Sequence, residues 1–143
     1  MGRVNIIDYV TIASVGNATD FGDLTQSRDS TATCSSTTRG LTAGGDGNST
    51  FNIIDYVTIA STGNASDFGD LIGTMKEHPA GISSKIIGII AGGVDKDGGG
   101  NDVKVATMDA INIASTGNAT DYGDLTLSVS QIAGNSNSHG GLA

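Results

Sequence analysis

The chain has 143 residues, with 22 Gly, one Pro, no Trp and only three Phe and three Tyr, so its core must be built from aliphatic and small side chains on short strands joined by tight turns. A net charge of −8 leaves no clustered Lys and Arg to bind phosphate, which argues against nucleic acid and anionic membrane as partners. Cys34 is the single cysteine, so the fold must hold without an internal disulfide.

Met1-Gly2-Arg3 is followed by no apolar run of signal-peptide type, and cytosolic synthesis is the expectation. The segment Asn5–Ala13 alternates β-branched and aromatic residues and predicts a strand, with Ile6, Val10 and Ile12 on one face and Ile7, Tyr9 and Ala13 on the other. Apolar groups on both faces mean that both are covered by stacked sheets. Val15-Gly16-Asn17 reads as a turn, after which a short strand carries Phe21 and Leu24. Ser30–Ala43 predicts two more strands around a turn near Ser35–Thr38, with Cys34 as a small buried residue and Gly44-Gly45 as the terminator.

The same words then recur. Segment 52–71 differs from segment 5–24 at two of twenty positions, Val15/Thr62 and Thr19/Ser66, and segment 106–125 matches 52–71 at 12 of 20. Ile12, Ile59 and Ile113 mark periods of 47 and 54 residues, the excess falling mostly in the loop Val94–Lys104. Ile82–Ala91 is a more apolar counterpart of Ser30–Ala43, ends in Gly92-Gly93, and contains an apolar run too short to span a bilayer. A period of this length with strand-like content points to propeller blades. The expected architecture is all-β, in a single repeat domain of three four-stranded units at about 1–47, 48–101 and 102–143.

An apolar strand ending in Gly-Gly, a variable loop, an Asp-Tyr strand, an aromatic position and a basic residue together resemble a kelch repeat. These are Gly44-Gly45, Asp55-Tyr56, Phe68 and Lys76, with Asp8-Tyr9, Phe21 and Arg28 in the first copy. The wording IDYVTIASTGNATDFGDLT, followed by a basic residue and SSTTRGLTAGG, resembles kelch-like β-propeller repeats in virion proteins of marine tailed phages, cyanophages above all. The resemblance covers nearly the whole chain. It departs from the kelch pattern where Phe or Tyr (Tyr122 in the third copy) replaces Trp, where Val129 replaces the basic residue, and where Ala110 replaces Tyr9, which implies weaker contacts around the third blade.

Several motifs invite a functional reading. The Asn-Ala-Thr/Ser words at Asn17, Asn64 and Asn118, and Asn48-Ser49-Thr50, are glycosylation sequons, but recurrence and turn chemistry account for the first three. The acid set is Asp8, Asp20 and Asp23, Asp55, Asp67 and Asp70, and Asp109, Asp121 and Asp124. It reads as turn capping and strand-edge charge, since catalytic carboxylates need unlike environments and repeats supply like ones. Asp95, Asp97 and Asn101 space oxygen ligands as a calcium loop does, but without the terminal bidentate Glu; a flexible surface insertion is the favoured reading. His78 and His139 lack neighbours at metal-ligand spacing. No catalytic or cofactor motif is found, so no enzyme and no cofactor are expected.

The resemblance implies a non-enzymatic structural or adhesive component of a tailed-phage virion: a tail fibre, appendage or capsid decoration, in contact with other virion proteins or a host-surface glycan. The alternative is a secreted or surface glycan-binding propeller module. Against it, the aromatics Tyr9, Phe21, Phe51, Tyr56, Phe68 and Tyr122 all lie in or beside predicted strands, which favours core duty. Ring propellers typically need about 4–8 blades, so self-association is expected. Gly141-Leu142-Ala143 matches Gly40-Leu41-Thr42, so the end of one copy would complete the first blade of another. A homodimer closing a six-bladed ring is favoured, with a trimer as alternative.

Overall fold

The alternating β-branched and aromatic segments form strands. The computed structural model describes residues 2–47, 51–74, 76–97 and 99–136. Within them the strands run β1 (Ile6–Tyr9), β2 (Thr19–Asp23), β3 (Ala32–Ser35), β4 (Arg39–Ala43), β5 (Ile53–Thr58), β6 (Ser66–Asp70), β7 (Ala80–Ser83), β8 (Ile87–Ala91), β9 (Val94–Lys96), β10 (Asp102–Lys104), β11 (Thr107–Asn112) and β12 (Thr120–Asp124). Strands β3-β4-β5-β6 form one four-stranded antiparallel sheet and β7-β8-β11-β12 a second, while β1-β2 and β9-β10 are two-stranded hairpins.

The all-β class and the sheets of four antiparallel strands are as expected, with two such sheets and two hairpins among the described residues. Each four-stranded sheet takes two strands from one repeat and two from the next, as in the register Leu41↔Tyr56 and Ala43↔Ile54 between β4 and β5. The reason is local. Gly44 and Gly45, at φ of 66° and 107°, turn the chain directly from β4 towards β5, and the Gly44 N–H donates to the Ile53 carbonyl. Gly92 and Gly93 repeat the turn at 63° and 104°. The hairpin β1-β2 is thus the outer half of a sheet whose inner half is not supplied by β3 and β4. The segment matching β4, including Gly141-Leu142-Ala143, lies outside the described residues, as do His139, Gly98 and the sequon Asn48-Ser49-Thr50.

The inner strands stack on one another. Ser30, His78 and Gln131 occupy equivalent places and share a left-handed backbone, at φ of 57°, 53° and 57°. The His78 N–H donates to the Ser30 carbonyl at 2.9 Å and the Gln131 N–H to the His78 carbonyl at 3.0 Å. Further along, the Ser83 hydroxyl donates to the Ser35 carbonyl at 2.8 Å, and the Ser83 N–H donates to the Ser136 hydroxyl at 3.2 Å. Segment 131–136 therefore stacks on β7 as β7 stacks on β3.

The core between the two sheets contains Ala32, Cys34, Leu41, Ala43, Ile54, Phe68, Leu71, Ile90, Ile111 and Ile113, all buried. Each buried Leu or Ile contributes on the order of 1.5–3 kcal/mol. Burial pushes the Cys34 thiol up from 9.0 to about 11. The folded state thus favours the protonated thiol, and this contribution to stability is lost as pH rises from the ordinary thiol value towards about 11. Alkylation of native Cys34 at pH 8 is expected to be at least about 100-fold slower than in denaturant. A rate equal to that of the unfolded chain would show the core to be open.

The insertion expected as a flexible loop is an ordered hairpin. Strands β9 and β10 pair Val94↔Lys104 and Lys96↔Asp102, and Lys96 forms an ion pair with Asp102. The expectation that both faces of Asn5–Ala13 are covered also fails, since Ile6, Val10 and Ile12 are exposed. The hairpin that carries them has no inner strands beside it among the described residues.

Candidate functional site

Each repeat slips its ladder by one residue at the same place: between Ile7 and Asp8, Ile54 and Asp55, and Met108 and Asp109. Such a bulge re-aims the side chain that follows it. The Asp55 carboxylate accepts from the Arg28 guanidinium at 3.0 Å, from the Thr25 hydroxyl at 2.7 Å and from the Thr25 N–H at 3.0 Å. Asp109 accepts from Lys76 Nζ at 2.7 Å and from the Ile72 N–H at 3.0 Å. Both ion pairs are sealed from solvent. Burial pulls the Arg28 guanidinium down from its ordinary range, while the charge and hydrogen bond of Asp55 push it back up. Arg28 and Lys76 precede the inner strand of their sheet and Asp55 and Asp109 lie on its third strand, so each pair clamps the incoming chain to the sheet it is about to build.

The reading of the acid set as turn and edge charge is corrected for Asp55 and Asp109, which are buried anchors. It describes Asp67 and Asp121 well, because each caps the turn of its own bulge by accepting from the N–H of Gly69 or Gly123. Asp8 is exposed. Val129 occupies the third basic position: its carbonyl accepts from the Gly93 N–H at 2.8 Å, as the Lys76 carbonyl accepts from Gly45.

A second contact repeats beside each ion pair. The loop after β5 lies along β2, with the Gly63 N–H donating to the Phe21 carbonyl, the Ala65 N–H to the Asp23 carbonyl, and the Asp23 N–H to the Asn64 side-chain oxygen at 3.1 Å. The loop after β11 lies along β6 in the same way, through Gly117 and Phe68, Ala119 and Asp70, and Asn118 and the Asp70 N–H. Gly22 and Gly69 permit the approach, since a Cβ on either would overlap the carbonyl of Gly63 or Gly117. This contact was missed in the sequence, where Gly-Asn was read as a turn alone. The available signal was the identical Gly-Asn-Ala in all three copies.

The same residues differ sharply in exposure from copy to copy. Ile113 is 1% exposed, Ile59 47% and Ile12 98%; Phe68 is 3% exposed, and its counterpart Tyr122 60%. Tyr9 meets Phe21 edge-on at 6.0 Å and Tyr56 meets Phe68 at 5.8 Å, with the Arg39 guanidinium over Tyr56 at 4.8 Å. Core duty thus holds for Phe51 and Phe68, whereas Tyr9 and Tyr122 are exposed. Beside Tyr122 lies a cavity of about 250 Å³, lined also by Ile82, Ile87, Ile89 and Met108.

The residues of the calcium reading turn to different partners. Asp95 accepts from the Thr74 hydroxyl and the Lys96 N–H. Asp97 is held below the usual carboxylate range by donors from the Asn101 backbone and side chain and the Gly99 N–H. These hydrogen bonds close the turn between β9 and β10. Among the described residues no three His, Cys, Asp or Glu side chains converge as metal ligands. His78 Nε2 lies 3.0 Å from the Ser30 hydroxyl in the inner-strand stack.

A scan against protein-family models finds no match for the chain, and no curated protein matches it significantly.

Proposed function

We propose that the chain is a non-enzymatic structural or adhesive component of a tailed-phage virion, in a tail fibre, an appendage or a capsid decoration. Its sheets would serve as kelch-like blades of a propeller completed by other copies of the chain. The observation that carries this reading is the use made of the charged side chains. Arg28, Asp55, Lys76 and Asp109 are the buried charged side chains among the described residues, and each is held in a sealed pair that locks one repeat to the next. What remains outside is a rigid frame with short loops, which suits decoration or attachment. Two copies would bring six blades, within the usual range of closed rings, and three copies form the alternative. Mass spectrometry of purified virions is expected to find the protein in stoichiometric amount, and its absence from intact particles would overturn the reading.

The exposed Tyr122 favours a second reading, a glycan-binding module, because an exposed ring beside a cavity can stack on a sugar. Specific glycan-array hits that vanish in Tyr122→Ala would raise it above the first.

A further inference from the structure

Ile12–Ala18 reads IASVGNA, and Ile113–Ala119 reads IASTGNA; the two differ only at Val15 and Thr116. The second segment is docked. Its Gly117 and Ala119 bind the edge of β6, Asn118 caps the Asp70 N–H, and Ile113 is buried at the face of the preceding sheet, where its carbonyl accepts from Arg39. The first segment makes none of these contacts among the described residues, and Ile12 stands almost fully in solvent.

The matching receptor is the outer edge of the second four-stranded sheet, which no other strand covers among the described residues. Among the described residues strand β12 ends its sheet, and its Gly123 differs from Gly22 and Gly69 in having no carbonyl packed against it, the nearest atom being the Met108 methyl at 4.0 Å. Behind that edge lies the 250 Å³ cavity, with Ile82, Ile87, Ile89, Met108 and Tyr122 on its apolar side and Ser83, Ser84, Asn135 and Ser136 on its polar side; by the repeat it corresponds to the place that Ile113 fills on the preceding sheet. Ile82 and Ile87 replace Cys34 and Arg39 there, which makes the receptor more apolar.

We infer that a second copy of this chain docks segment Ile12–Ala18 onto β12, with Ile12 in that cavity. The Gly16 and Ala18 N–H groups reach the Tyr122 and Asp124 carbonyls, and the Asn17 oxygen accepts from the Asp124 N–H. The inference rests on the self-assembly reading above and specifies its surface. The same junction brings Asp8 of the second copy to Thr126 and Val129, as Asp55 meets Thr25 and Arg28. Here a hydroxyl and an N–H are retained but the cation is missing. A carboxylate buried without its cation weakens the contact, so the junction is weaker than those inside the chain. At the inner strands it must also be wider, because Thr33 stands where Gly81 and Gly134 allow close approach.

Sedimentation of the whole protein over a range of concentrations tests the surface. Wild type is expected to associate reversibly. Ile12→Asp should weaken association at least about 10-fold, since an Ile side chain leaves its contact with Ile82, Ile87, Ile89 and Met108. Asn17→Ala should weaken it about fivefold through one hydrogen bond. Neither is expected to change the melting of dilute monomer, because both side chains are exposed there, whereas Asn64→Ala should lower that melting temperature. Val129→Lys should tighten association, and the gain should vanish when combined with Asp8→Ala. Association unaltered by Ile12→Asp and Asn17→Ala would overturn this interface while leaving self-assembly in place. A wild type monomeric at every concentration would overturn both.

Discussion

Asp55→Ala is expected to lower the free energy of unfolding by about 3–5 kcal/mol, a large part of the roughly 5–15 kcal/mol that holds a domain folded. The charge of Arg28 would remain, with both side chains of the pair at 0% exposure in the native fold. The Thr25 hydroxyl and N–H lose their acceptor at the same time. The neighbouring junction supplies the control. Lys76 bridges to Asp109 with a single ammonium, and Arg28 holds Nε and Nη1 buried without a partner among the described residues. Each such donor costs about 1–3 kcal/mol, so Arg28→Lys should be close to neutral or stabilising. Urea unfolding measures both variants, and a loss below about 1 kcal/mol for Asp55→Ala would show that the pair is not the clamp between repeats.

Gly81→Val is expected to cost about 3 kcal/mol or more, and to leave much of the chain insoluble. A Cβ at Gly81 would overlap the Thr33 backbone. Backbone held in a sheet cannot rotate aside as a side chain can, so β3 and β7 must separate. That separation breaks the Ser83–Ser35 hydrogen bond and strains the His78–Ser30 bond beside it. Gly40→Ala is the matched control: its new methyl would meet only Val57 Cγ2, at an ordinary 3.4 Å, and its stability should stay within about 0.5 kcal/mol of wild type. Equal melting temperatures for Gly81→Val and wild type would show that the inner strands do not stack in solution.

Strand content was legible because it depends on neighbours in sequence. β-Branched alternation marks β5 and β11, Gly-Gly marks the turns after β4 and β8, and the triplicated wording fixes the repeat. The burial of Cys34 was legible for the same reason, as a small apolar residue on a strand. The partnership of strands was not. A repeat can be cut at any point along its period, and only the turn at Gly44-Gly45 decides that β4 pairs with β5 rather than returning to β1. The bulge at Asp55 is equally invisible in the residue pattern, because it depends on the register against β6.

The sequence by itself determined the all-β class, the repeat and the aliphatic character of the core, since composition and periodicity are local properties of the chain. Only the tertiary structure decided that Asp55 and Asp109 are buried anchors while Asp8 is exposed, and that Ile113 is buried while Ile12 stands in solvent. Near-identical words meet these opposite fates because burial is set by what lies across the neighbouring sheet. That neighbour changes along a repeat even where the words do not.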